Sequence, residues 1–212
     1  MILGLTGGLG CGKSTAAKLF AGRGLRHIDS DQVIRERVLS QPQVTRAVQE
    51  RFGAGVLDGE GRVDRAALGP RVFADDGART WLEGVTHPIY FEILRNDLRS
   101  DSKANWVVEV PLLFEVSMEN WFDFIACVAC DYGTQIARLE QRGMDRALAE
   151  QRISKQLPLA RKIELSDFVL WNDGDPGFLK SQVDRIVDAV SPAQAAIPFP
   201  APHDGIPPED RR

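Results

Sequence analysis

Five short candidate strands punctuate the chain, at residues 2–5, 26–28, 106–110, 123–129 and 167–171. Each has the length of a buried strand and is bounded by polar or glycine positions. Most of the segments between them repeat apolar residues at helical spacing. The alternation predicts an α/β fold built on a five-stranded, doubly wound parallel sheet. The spacing is uneven. About 75 residues separate the second and third runs, against the dozen or more that one crossover needs. That stretch carries only helical patterns, at 43–52, 64–73, 78–85 and 88–99. The core is therefore expected at 1–37, 105–132 and 165–190, with a helical insertion at 38–104 that serves substrate binding over the sheet's C-terminal edge. A shorter, arginine-rich helical excursion at 133–164 reads as a lid.

Directly after the first run, residues 7–14 read Gly-Gly-Leu-Gly-Cys-Gly-Lys-Ser and fit the spacing G-x-x-x-x-G-K-[ST]. Strand, glycine loop and helix occur in the order that a phosphate-binding loop requires. Gly8, Leu9, Gly10, Cys11 and Gly12 would turn backbone N–H groups toward a polyphosphate, and the helix N-terminus adds a favourable dipole. Lys13 would reach the terminal phosphates, the Ser14 hydroxyl would hold Mg²⁺, and Thr15 opens the helix. A dinucleotide site would want G-x-G-x-x-G, and the glycines here have the wrong last spacing. The motif calls for a nucleoside triphosphate with Mg²⁺.

Composition narrows the remaining classes. With 212 residues the chain suits one α/β domain plus an insertion. A formal net charge of −4 gives no basic footprint, so nucleic acid is not an expected partner. No apolar run nears the ~20 residues that span a bilayer, and the N-terminus lacks a basic region before an apolar one. A cytoplasmic enzyme without a membrane partner is the expectation; oligomeric state is not legible. Cys127 and Cys130 form a C-x-x-C, but three residues apart on a strand they face opposite ways, and no second pair completes a zinc site. Both read as structural. Cys11, beside Lys13 and a helix start, reads as a thiol of lowered pKa and raised reactivity. Six of the twelve prolines fall in 191–212, which reads as an extended, mobile tail.

Asp29 and Asp31 close the second strand near the phosphate loop. Transfer to a hydroxyl needs a base for its proton and oxygen ligands for the metal. Asp31 is the better base candidate and Asp29 the better metal candidate, although Asp31 could instead cap a helix that begins at Gln32. Arg138 and Arg142 lie four apart, on one face of a helix whose Ile136 and Leu139 point elsewhere. Either could neutralise a transferring phosphoryl group or simply face solvent.

Residues 6–15, Ile28-Asp-Ser-Asp31, His87-Pro88, Pro111-Leu-Leu-Phe-Glu115 and Asn172-Asp-Gly174 together resemble the dephospho-CoA kinases, in order and over residues 2–190. The resemblance implies transfer of the ATP γ-phosphoryl group to the ribose 3′-hydroxyl of dephospho-coenzyme A, the last step of coenzyme A synthesis. It implies a P-loop kinase core with a helical CoA domain and a lid. Asp31 then falls on the family's catalytic base and Asn172 on its adenine region. His87 falls in the substrate pocket, and Leu112, Leu113 and Phe114 on the wall of a pantetheine channel, with Glu115 paired to a cation. Two positions depart from the pattern: Cys11 replaces the usual serine, and 142–146 is irregular around the lid arginines. The alternatives are a P-loop kinase for another small metabolite, which gives no reason for 111–115, and a GTPase switch, whose Asn-Lys-x-Asp signature does not occur.

Overall fold

The computed structural model describes residues 1–190, which form two compact units: residues 1–29 with the chain from 104 onward, and residues 30–103. The first unit is built on five parallel strands, β1 (Ile2–Gly7), β2 (Arg26–Asp29), β3 (Trp106–Glu109), β4 (Phe124–Ala129) and β5 (Phe168–Trp171). They lie in the order β2-β3-β1-β4-β5, so the expected five-stranded parallel sheet is present. β1 is central because nearly every residue in it is apolar or glycine, and a strand flanked on both sides must bury both faces. Leu3 and Leu5 are fully buried on one face, against helices α1 (Lys13–Gly22) and α9 (Pro176–Val190). Burial of each such leucine contributes about 1.5–3 kcal/mol. On the other face Gly4 leaves room for Phe122 and Leu113, whose atoms stand 2.7 and 2.9 Å from where its Cβ would be.

Three helices join β4 to β5: α6 (Tyr132–Gln141), α7 (Arg146–Ser154) and α8 (Leu159–Glu164). Asp131 caps α6 by accepting from Thr134 N at 2.8 Å, and Asp145 caps α7 by accepting from Ala147 N at 3.0 Å. Ile136, Leu139 and Ala149 bury the seam between these two helices. α6 ends at Gln141 and Arg142 closes it as the C-cap, so Arg138 and Arg142 do not share a helix face as the spacing implied. Gly143, with φ of 80°, turns the chain out immediately afterwards.

The second unit is helical: α2 (Ser30–Val33) with a π-helical turn at Ile34–Val38, α3 (Pro42–Phe52), α4 (Arg65–Ala74) and α5 (Asp76–Ser100). Its buried side chains include Val38, Val44, Val48, Leu68, Tyr90 and Leu94. Tyr90 and Ser30 hydroxyls are hydrogen-bonded at 2.6 Å, tying α5 to the start of α2. The patterns at 78–85 and 88–99 are one continuous helix with Pro88 inside it. His87 is therefore helical, contrary to the bias that a following proline imposes. The cost is tolerable because Pro88 deprives only the carbonyl of Gly84 of its donor, and Gly84 is exposed to water. α2 begins at Ser30, so Asp31 lies inside its first turn and is not the cap of a helix starting at Gln32. The Pro-rich segment 191–212 lies outside the described residues.

Candidate active site

The loop at the end of β1 is shaped by its backbone. Gly7 has φ of 143°, and a Cβ there would lie 2.2 Å from the Val128 carbonyl oxygen. Gly12 has φ of 95° and stands at the N-cap of α1, where no side chain accepts from the helix's first amides. The Thr15 and Ala16 amides turn back onto the Gly12 carbonyl, at 3.0 and 3.1 Å, and the dipole of α1 favours an anion ahead of them. Lys13 is buried, and its Nζ donates to the carbonyls of Gly7 at 3.2 Å and Gly8 at 3.0 Å. Ser14 and Thr15 are exposed on the first turn of α1.

Four side chains hold the loop from behind. Gln135 Nε2 donates to Leu9 O at 2.8 Å, and Asn172 Nδ2 donates to Cys11 O at 2.8 Å. Arg138 Nη2 donates to Asn172 O at 2.8 Å. Cys130, immediately after β4, places its Sγ 3.5 Å from Cys11 Sγ. Asn172 therefore supports the loop with the amide that the resemblance gave to adenine. Arg138 is half-buried, and its Nη1 is buried without a hydrogen-bond partner. An uncompensated cationic donor beside the loop is a place for a phosphate oxygen. Arg142, by contrast, is exposed at the end of α6.

The carboxylates come from the ends of neighbouring strands. Asp29 and Glu109 are paired across β2 and β3, so their side chains leave the same face of the sheet. Glu109 is the residue that motif reading passes over. It is buried, accepts from Ser14 Oγ at 2.9 Å, and its second oxygen lies 3.6 Å from His27 Nε2 without a hydrogen-bond partner. Burial alone would raise the Glu109 pKa; His27, Ser14 and the Lys13 charge outweigh it and hold the carboxyl below its ordinary range. The sequence offers only one hint of it, a carboxylate closing an otherwise apolar strand, which assigns no role until the register beside Asp29 is known.

A Mg²⁺ ion fits this donor set. Ser14 offers a hydroxyl and Glu109 an orphaned buried oxygen, with Asp29 alongside. No group of three His, Cys, Asp or Glu residues among those described could cage a metal. Few protein oxygens suit a cation that keeps waters and takes phosphate ligands.

Among the expected substrate residues, Leu113 is fully buried against Gly4 and Phe114 is buried too, which makes them core; Leu112 is exposed. Glu115 has found its cation. Its Oε1 lies 2.9 Å from Nζ of Lys162, a lysine with 0% exposure, and accepts from Leu157 N at 2.9 Å. Lys162 Nζ also donates to Pro111 O at 2.8 Å. The 111–115 segment is thereby bolted to α8. Asp31 and His87 belong to the second unit, where Asp31 is exposed and His87 packs at a tilt against Phe91 with ring centroids 5.7 Å apart. Burial lowers the His87 pKa despite the opposing charge of Glu83.

A family model described as dephospho-CoA kinase matches residues 1–176. The chain belongs to the dephospho-CoA kinase family. Among relatives in that family, the dephospho-CoA kinase of Synechococcus elongatus is 38% identical over 195 residues, covering 91% of this chain and 93% of the relative. That of Anaeromyxobacter dehalogenans is 38% identical over 190 residues, covering 88% and 90%. The crystal structure of TT1252 from Thermus thermophilus superposes with a TM-score of 0.79 at 29% identity, covering 90% of this chain and 98% of that one. Campylobacter jejuni dephospho-CoA kinase, at 21% identity and a TM-score of 0.68, shares the fold over 90% and 96%.

Proposed function

We propose that this chain transfers the γ-phosphoryl group of ATP to the ribose 3′-hydroxyl of dephospho-coenzyme A, releasing ADP and coenzyme A. The observation that carries the reading is the family match over residues 1–176, which includes a phosphate loop with an uncapped helix behind it.

In this reading the amides of 8–13 and the N-terminus of α1 receive the β- and γ-phosphates. Lys13 exchanges a glycine carbonyl for a phosphate oxygen, a rearrangement that its flexible stem allows. Arg138 Nη1 supplies a second cation to the transferring group, while Nη2 stays anchored on Asn172 O. Ser14, Asp29 and Glu109 would hold Mg²⁺, directly or through water, and the ion would supply positive charge against the negative charge of the phosphates. The Glu109 carboxyl, kept ionised by its neighbours, also fixes the Ser14 hydroxyl by accepting from it. Asp31 takes the proton of the attacking hydroxyl; its exposed carboxylate beside the end of β2 suits that role. His87 and Leu112 contact the acceptor in this reading.

The test is ADP release measured across a panel of acceptors at fixed Mg·ATP. Dephospho-coenzyme A should support turnover well above a nucleoside or shikimate. Strong turnover of one of those, with none of dephospho-coenzyme A, would reassign the substrate.

A further inference from the structure

We propose that Cys11 and Cys130 form an oxidation site, in which a peroxide converts the two thiols to a disulfide that distorts the phosphate loop and weakens nucleotide binding. Cys11 sits where the chain departs from its family's usual serine, and the departure has a partner. The two sulfurs are 3.5 Å apart, in contact, although the residues are 119 positions apart in the chain. Cys127 is excluded from the pair: Ala126, Val128 and Cys130 face the α1–α9 layer together with Cys11, whereas Cys127 faces away from it.

The chemistry balances with a peroxide as the only added reactant. Cys11 thiolate attacks one peroxide oxygen. An S–O bond forms, the O–O bond breaks, hydroxide leaves, and the sulfur becomes a sulfenic acid. Cys130 then loses its proton and attacks the Cys11 sulfur. The S–S bond forms, the S–O bond breaks, and the departing hydroxide takes that proton as water. Two thiols are oxidised by two electrons in all, and one peroxide is reduced to two waters.

The surroundings favour this order. The hydrogen bond from Cys130 lowers the Cys11 pKa, and Lys13 adds to it against the opposing effect of burial. Cys130 is correspondingly raised, first by its bond to Cys11, a cause that disappears once Cys11 is a neutral sulfenic acid. Cys127 is pushed up to about 12 by burial and is inert by comparison. Both sulfurs are buried, Cys11 at 0% and Cys130 at 3% exposure, so a peroxide reaches them only when the glycine-flanked loop opens.

Bond formation brings the sulfurs from 3.5 Å to the disulfide length of about 2.05 Å. Cys11 lies between Gly10 and Gly12, both at positive φ, so the loop is the part able to yield. Its Sγ also lies 2.8 Å from the position a Gly8 Cβ would take, and its carbonyl is the one held by Asn172. Movement of Cys11 therefore shifts the amides from Gly8 to Lys13 as a group. The effect on nucleotide binding rests on the phosphate-loop reading; the disulfide does not.

The experiment treats the full-length protein with hydrogen peroxide and maps peptides by mass spectrometry without reduction. The expected result is a Cys11–Cys130 cross-linked peptide, with affinity for a fluorescent ATP analogue falling on the order of tenfold to a hundredfold, and both changes reversed by dithiothreitol. Cys130→Ser, compared with its own untreated state, should give no cross-link and an affinity loss that dithiothreitol does not restore, as Cys11 proceeds to sulfinic acid. A Cys127–Cys130 link, or Cys11 oxidised alone in the wild-type chain, would overturn the pair. A cross-link that leaves nucleotide affinity unchanged would overturn its consequence for the loop.

Discussion

In the proposed mechanism Glu109 decides how well the metal–phosphate end of the site is held. Glu109→Gln keeps the side chain's shape and an acceptor for Ser14 but removes the charge. Activity at limiting Mg²⁺ should fall roughly 10- to 100-fold, with partial recovery at high Mg²⁺. Equal activity at every Mg²⁺ concentration would reduce Glu109 to a structural anchor. The same residue has a pH signature. Its folded pKa lies below the ordinary 4.5, so the ionised form stabilises the fold above that pH, and the contribution is lost as pH falls through the folded pKa. The gap in melting temperature between wild type and Glu109→Gln should therefore narrow on acidification below about pH 4.5; a gap that widens there contradicts the assignment. Asp31→Asn should lower kcat by about 10²- to 10⁴-fold with little change in either KM. Wild-type kcat in the folded variant would leave Asp31 without a role in proton transfer. Lys13, Ser14 and the glycines were legible because a loop motif is local. Glu109 was not, because its neighbours read as a strand and only the register beside Asp29 gives it a role. The Cys11–Cys130 contact was beyond sequence reading for the same physical reason: it follows from the pairing of β1 with β4, which brings the ends of two neighbouring strands together.

At the scale of elements, strand positions were legible to within two residues; for β1, β3, β4 and β5 this is because continuous apolar runs have few other uses in a parallel sheet, whereas β2, Arg-His-Ile-Asp, is mostly polar. Helix boundaries were less so. Pro88 reads as a break, yet α5 runs through it, since tertiary packing of Tyr90, Leu94 and Leu98 outweighs one lost hydrogen bond. Arg142 reads as helical, yet Gly143 ends α6 before it. The segment 111–115 shows how an element acquires its meaning from elsewhere. Its glutamate and its first carbonyl are both spent on Lys162, fully buried in α8. Lys162→Met should destabilise the protein by about 3 kcal/mol, the lower end for breaking a buried pair because Glu115 keeps some contact with water. That corresponds to a melting temperature lower by about 6–12 °C. A shift of a degree or less would mean that the pair contributes little.

For the whole molecule, the division of labour follows from where the chain places its chemistry. The sheet and its two helical layers supply triphosphate-binding groups from the first unit. The second unit, 30–103, is one continuous insertion between β2 and β3 and carries Asp31 and His87. The long gap between apolar runs made that insertion visible in the sequence. What it binds was visible only through family motifs, because helical spacing by itself has no ligand preference. No described helix is long and apolar enough to cross a membrane. The most direct test of the central claim is to incubate the protein with Mg·ATP and dephospho-coenzyme A and to analyse the product by mass spectrometry and ³¹P NMR. The account predicts coenzyme A, carrying one added phosphate as a 3′-monoester on the ribose, formed in step with ADP. ADP release without that product, or phosphate on any other hydroxyl, would contradict it.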